Sequence, residues 1–153
     1  MADKYSKQIN GYSYYGQHAE DLIISAIFAM IGIDKPSYID LGTNHPIIDN
    51  NTFGMYVNGC RGINIEANPR LIGIIEEKRP EDININVGIG TKDELLPFYK
   101  WDDMSGRNTF CSSEIQYWGV RNPLKLSSYK SLRYLRLLIN FALMVFRIIW
   151  TAI

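Results

Sequence analysis

Short apolar runs separated by turn residues set the rhythm of this chain. Tyr38 to Leu41, Gly62 to Ile65, Ile83 to Val87 and Leu95 to Tyr99 have the length of strands rather than helices. Longer periodic stretches lie between them. Glu20 to Ile33 (EDLIISAIFAMIGI) predicts a helix, with acids at its start to suit the macrodipole and Gly32 at its end. It is apolar nearly all round, which predicts burial, yet it is too short to span a bilayer. Pro36 then resets the chain. Asn50 to Asn58 predicts a short helix, stopped by Asn58-Gly59. Pro69 suits the first position of a helix running to about Arg79, with Asn68 as its cap. Strand, helix, strand, helix, strand is the order of a doubly wound half-sheet, and Leu95 to Tyr99 adds a fourth strand or a hairpin arm.

Two of these strands alternate Ile with Asn: Ile63-Asn64-Ile65 and Ile83-Asn84-Ile85-Asn86. Central parallel strands are usually apolar on both faces. Either one face is wet, or the amides make hydrogen bonds that the sequence does not reveal.

The strand ends carry the chemistry. The first strand closes on Asp40 and Gly42, the second on Glu66. A glycine turn after a first parallel strand lets a nucleoside approach the backbone, and an acid at the tip of the next strand accepts from both ribose hydroxyls. A dinucleotide fold needs two further glycines for the pyrophosphate, and Asn44 and Ile47 stand in their places. That disfavours a nucleotide-dependent oxidoreductase or sugar-nucleotide enzyme. A cofactor with ribose and adenine but no phosphate fits better, and S-adenosylmethionine is one.

Apolar residues make up 46% of the 153-residue chain, enough for one globular core. Sixteen basic residues balance sixteen acidic ones, which removes the global electrostatic case for nucleic acid. Cys60 and Cys111 fit no metal spacing and no disulfide framework, so free thiols in a reducing cytoplasm are expected. Met1 to Gly16 is polar, rich in Tyr and Ser, and unlike a secretory signal.

Several ordered segments resemble the FkbM-type S-adenosylmethionine-dependent methyltransferases. They are Tyr15 to Ile24, Tyr38 to Pro46, Asn51-Thr52, Gly59 to Pro69, Arg79 to Ile89 and Asn108 to Phe110. Each alone is weak; their order and spacing make the set specific. The resemblance implies an α/β fold of the Rossmann-like class I methyltransferase type. It would place Asp40, Gly42 and Asn44 along the methionine and ribose end of the cofactor and Glu66 on the ribose. Asn86, Val87 and Gly88 would lie near the adenine, with Gln17, Glu20 and Asp21 bordering the pocket. Relatives of this type are O-methyltransferases of sugar or polyketide hydroxyls, so the expected acceptor is a carbohydrate or similar metabolite. From about Gln116 the likeness stops, and no Asp-x-Glu-Gly-like strand follows. The expected fold is therefore incomplete: a first βαβαβ half over residues 1–114, a linker over 115–131, and an apolar helix over 132–153. A natural truncation, a frameshifted reading and a fragment each account for this pattern, and the expected chain is a truncated or inactive form of the enzyme.

A hydroxyl acceptor calls for a general base. His45, in the turn after the first strand, is the weak candidate; its alternative is a loop residue that hydrogen-bonds the backbone. His18 reads as a solvent-facing ring. Asp102 and Asp103 read as solvated loop charges rather than a metal pair. After Glu114 no acid occurs, while Arg121, Lys125, Lys130, Arg133, Arg136 and Arg147 do. Along Leu132 to Ile153 the basic and polar residues form one narrow helical stripe on an otherwise apolar surface. Such a helix suits a membrane interface, packing on an exposed sheet edge, or an out-of-frame accident. Arg136 and Arg147 argue against a spanning helix. The rival to the enzyme is thus a non-catalytic remnant or binding module, held to a membrane surface or another subunit by that helix. A cytoplasmic location, with or without membrane association, accompanies both readings.

Overall fold

Asn10 and Gly11 make the first turn, both with positive φ (48° and 83°), the backbone of a two-residue hairpin. They join strand β1 (Lys7–Ile9) to β2 (Tyr12–Tyr14), paired antiparallel. This hairpin adds two strands to the predicted set, and Asn-Gly between Ile9 and Tyr12 is its signal. The computed structural model describes residues 4–117 and the backbone of 124–133. Its contacts divide the chain into two units, Met1–Asn86 with Asp102–Gly106, and Val87–Trp101 with Arg107–Ile153.

In the first unit, helix α1 (Glu20–Met30) stops three residues short of the predicted Ile33. Gly32 takes φ +74°, its N–H donates to the Ala29 carbonyl, and Ile33 N–H donates to the Phe28 carbonyl, which satisfies two of the last carbonyls of the helix. The predicted burial of this helix is corrected. Ile24 and Phe28 pack on the Tyr38, Met55 and Cys60 cluster, but Ile23, Ile27 and Met30 are exposed. A helix apolar on every side needs cover on every side, and one packed layer among the described residues covers only one face.

Strands β3 (Tyr38–Leu41), β4 (Gly62–Glu66) and β5 (Ile83–Asn86) form a parallel sheet in the order β3-β4-β5. Helix α2 (Phe53–Val57) lies between β3 and β4 in sequence, and α3 (Pro69–Lys78) between β4 and β5. The Asn68 side chain caps α3 by accepting from Arg70 N–H, and Leu71, Ile72 and Ile75 form its buried stripe. The fold is mixed α/β with a three-stranded parallel sheet, compatible with part of a Rossmann-like arrangement. In register, Asp40 pairs with Asn64, and Glu66 with Asn86.

The amide nitrogens of the alternating residues have partners, while Asn64 Oδ1 is buried without one among the described residues. Asn64 is fully buried and donates to Asp82 (3.0 Å) and to Asn84 Oδ1 (2.8 Å). Asn84 Nδ2 donates to the Arg79 carbonyl and Asn86 Nδ2 to the carbonyls of Glu66 and Ala67. The amides cross-link the strands to each other, to the turn that enters β5 and to the turn that leaves β4.

Gly62 is required by what faces it. A Cβ there would meet the Tyr38 ring at 2.2 Å and the Tyr38 carbonyl oxygen at 2.4 Å. Gly62→Ala is therefore expected to cost about 1–3 kcal/mol by overpacking. The measurement is the urea midpoint at unchanged slope; an unmoved midpoint would mean Tyr38 yields without cost.

In the second unit, β6 (Gly88–Gly90) and β7 (Glu94–Lys100) flank β8 (Leu124–Arg133), which runs parallel to β6 and antiparallel to β7. Pro97 sits at a register shift between Leu96 and Phe98, where its missing N–H interrupts the ladder. Phe98 and Phe110 pack at 4.9 Å between ring centroids. Helix α4 spans Ser112–Tyr117. The stretch predicted as a linker over 115–131 thus contains the end of α4 and most of β8. Leu132 and Arg133 close that strand instead of opening a helix. The remainder of the predicted helix, 134–153, lies outside the described residues. Among the described residues, no helix is long and apolar enough to cross a membrane.

Candidate functional site

The carboxyl ends of β3 and β4 meet at one rim. The chain leaves β3 through Gly42 at φ +72°, with open space where a Cβ would stand. The N–H groups of Gly42 and Thr43 both donate to the Ile65 carbonyl, at 2.8 and 3.2 Å, so the turn curls over β4. Asn44 follows with φ +55°, a conformation Asn tolerates better than most residues.

Glu66 ties this turn to α3. Its Oε2 accepts from Asn44 N–H (2.8 Å) and its Oε1 from Asn68 N–H (2.7 Å). The sequence suggests an acid free at a strand tip; in the fold Glu66 is only 7% exposed and each oxygen already holds one backbone donor. Burial pushes its carboxyl above the usual glutamate range; the Asn68 and Asn44 N–H groups pull it down, and the Asp40 charge raises it further. The two acids are neighbours by register: Asp40 pairs with Asn64, two residues before Glu66 on β4 and on the same face. Asp40 Oδ2 accepts from the Thr52 hydroxyl (2.6 Å) and from Asn50 Nδ2 (3.3 Å). Asn44 Oδ1 is buried without a partner among the described residues.

Beneath the rim lies a buried ion pair. Arg79 Nε donates to Asp82 at 2.9 Å, and neither side chain is exposed. Arg79 also reaches the Tyr38 hydroxyl (2.8 Å), Thr52 Oγ1 (3.0 Å) and Asn50 Oδ1 (3.3 Å). Asp82 accepts from Tyr38, the Gly62 N–H and Asn64. Burial, with the hydrogen bond to Asp82, raises the Tyr38 phenol. Sequence reasoning assigned no role to Asn50, Thr52, Arg79 or Asp82. The local signals were the spacing of Arg79 and Asp82 and the Asn50 side chain at the start of the short helix, where it accepts from the Thr52 and Phe53 N–H groups; the fold brings these two pieces together.

The other expected site residues divide. Asn86 lies beside Glu66 through register and its side-chain bond to the Glu66 carbonyl. Val87 and Gly88 belong to the second unit, where both are buried and Gly88 faces Phe110, so close that a Cβ would meet the ring at 2.4 Å. Gln17 is exposed. Glu20 accepts from His18 N–H, which lowers its carboxyl, and His18 itself is exposed. Asp21 is buried, accepts from Tyr15 N–H (2.7 Å), and lines a cavity of about 180 Å³ with Tyr15, Leu22, Ser25 and Val57. Tyr15 in turn accepts from Asn50 N–H, which links this segment to the loop holding Asp40.

His45 does not serve as a base here. Its Nδ1 accepts from Ile47 N–H (3.1 Å) and Ile48 N–H (2.9 Å), which places the ring proton on Nε2 and leaves no free basic lone pair. Burial lowers its pKa, in keeping with a neutral ring that closes a turn. Asp103 is in a loop rather than on a strand. Its carbonyl accepts from Asn68 Nδ2 (2.9 Å) and its carboxylate lies 3.7 Å from Arg70, so the Asp102–Gly106 segment rests on the turn that carries Glu66. Cys60 and Cys111 are free thiols. No protein-family model, curated protein or solved structure matches the chain.

Proposed function

We propose that this rim binds S-adenosylmethionine and that the chain is an FkbM-like methyltransferase half-domain acting toward a carbohydrate or related hydroxyl. The observation that carries the reading is the meeting of Asp40, the open Gly42 turn and Glu66 at the carboxyl edge of one parallel sheet. The residues present fit the group. Glu66 keeps a second lone pair on each oxygen, and Asn44 Oδ1 needs a donor that the described residues do not supply. Ribose hydroxyls and an ammonium are such donors. When bound, the cofactor supplies an already activated methyl group. The chain's residues bind it, orient it and exclude water. Asp40, Gly42 and Asn44 would lie along the ribose and methionine portion, Glu66 on the ribose and Asn86 toward the base.

Calorimetric titration with S-adenosylhomocysteine tests the reading. Saturable heat is expected, weakening as pH falls through the Glu66 titration, because the ionised carboxylate is the better hydroxyl acceptor. A folded protein giving no heat would reject it and leave the non-catalytic module, whose proposed membrane or subunit contact rests on residues 132–153, mostly outside the described residues.

A further inference from the structure

Arginine only donates, so hydrogen bonds around Arg79 have a fixed direction. Thr52 Oγ1 accepts from Arg79 Nη2 at 3.0 Å. Its single proton then goes to its nearest acceptor, Asp40 Oδ2 at 2.6 Å, in preference to Asn50 Oδ1 at 3.1 Å. Asn50 is oriented the same way. Its Oδ1 accepts from Arg79 Nη1 and from the N–H groups of Thr52 and Phe53, which leaves its Nδ2 to donate to Asp40 Oδ2 and to the Thr43 carbonyl. Two relays from one buried cation therefore converge on one oxygen of Asp40. The other oxygen makes no hydrogen bond among the described residues, and the side chain is half-buried.

We propose that Arg79 is a positioning residue. Through Thr52 and Asn50 it holds Asp40 in a single orientation, with Oδ2 engaged and Oδ1 left for a donor on the ligand. The proposal rests on the cofactor reading of the same rim. Arg79 touches no ligand group itself. Its donors set the direction of the Thr52 relay, and they join the Thr52 and Phe53 N–H groups in setting that of Asn50, a task that neutral Gln or Met cannot perform with the same donor geometry.

Thr52→Val removes one relay while nearly keeping volume. The direct readout is the χ1 of Asp40 from scalar couplings to its Cγ, measured on the full chain without ligand. One rotamer is expected in the wild type and in Thr52→Ser, and rotamer averaging in Thr52→Val; Thr52→Ala replaces valine if the latter does not fold. Identical couplings in all of them would overturn the proposal. The second readout is affinity for S-adenosylhomocysteine. Thr52→Val is expected to weaken it about tenfold, equivalent to roughly one charge-assisted hydrogen bond. The same substitution should have no further effect when Asp40→Asn is already present, because both act through one carboxylate. A merely structural role would lower the melting temperature and leave couplings and affinity alone. Wild-type protein that binds, with a Thr52→Val variant binding equally well, overturns the positioning role and spares the cofactor reading. Wild-type protein that gives no heat defeats the cofactor reading, and the couplings still decide whether the relay from Arg79 through Thr52 holds Asp40.

Discussion

Arg79→Met is expected to lower stability by about 3–5 kcal/mol, a large share of the ~5–15 kcal/mol that holds a typical domain folded. The reason is what the substitution leaves behind. Asp82 would remain buried, and its ion-pair partner at 2.9 Å would be gone. The Tyr38 and Thr52 hydroxyls and Asn50 Oδ1 would each lose a donor. Asp82 keeps the Tyr38 hydroxyl, the Gly62 N–H and Asn64 Nδ2, which places the loss toward the lower end of that range. Urea unfolding measures it. Adding Asp82→Asn to Arg79→Met should recover part of the loss, since the uncompensated charge is removed while an acceptor stays. A double variant no better than Arg79→Met would show that the charge is not what the arginine compensates.

Glu66→Ala is expected to cost about 2–4 kcal/mol and to abolish binding of an adenosine ligand. Two backbone donors, Asn44 N–H and Asn68 N–H, lose their acceptor at once, each worth roughly 1–3 kcal/mol when left unsatisfied. Relief of the desolvated carboxylate offsets some of this at neutral pH. The sign follows from the raised pKa. Glu66's contribution is fully present below the usual glutamate value of 4.5 and declines as pH rises through its elevated midpoint. The stability difference between wild type and Glu66→Ala should therefore narrow with rising pH. Paired thermal melts across that window measure it. A difference that widens would mean the charged form is favoured by the fold, contrary to the burial seen.

Element type and order were legible because they rest on local rules. Asn68-Pro69 opens α3 by a side-chain cap and a preset φ, and Gly32 ends α1 by taking a left-handed conformation. Asp40 and Glu66 were legible as rim residues because a parallel sheet puts successive strand ends on one edge. The hairpin at Asn10-Gly11 is equally local, since two positive-φ residues suffice to make its turn. Burial of α1 was misjudged for a different reason. A uniformly apolar helix says how much cover it wants, and the surroundings determine how much it receives.

Strand and helix punctuation, the strand-end acids and the open turn at Gly42 follow from residues close together in the chain, where backbone sterics and short-range hydrogen bonds act. The Arg79 bonds to Tyr38, Asn50 and Thr52 and the Glu66 bond to Asn44, 22 residues away, do not, whereas His45 accepts from Ile47 and Ile48, two and three residues on, and is local as well. Arg79 and Thr52 are 27 residues apart, and Arg79 and Tyr38 are 41 apart. A buried cation can be satisfied by any carboxylate, hydroxyl or amide that packing brings within about 3 Å. Which of them do so is a property of three strands assembled side by side, since no single segment holds both ends of those bonds.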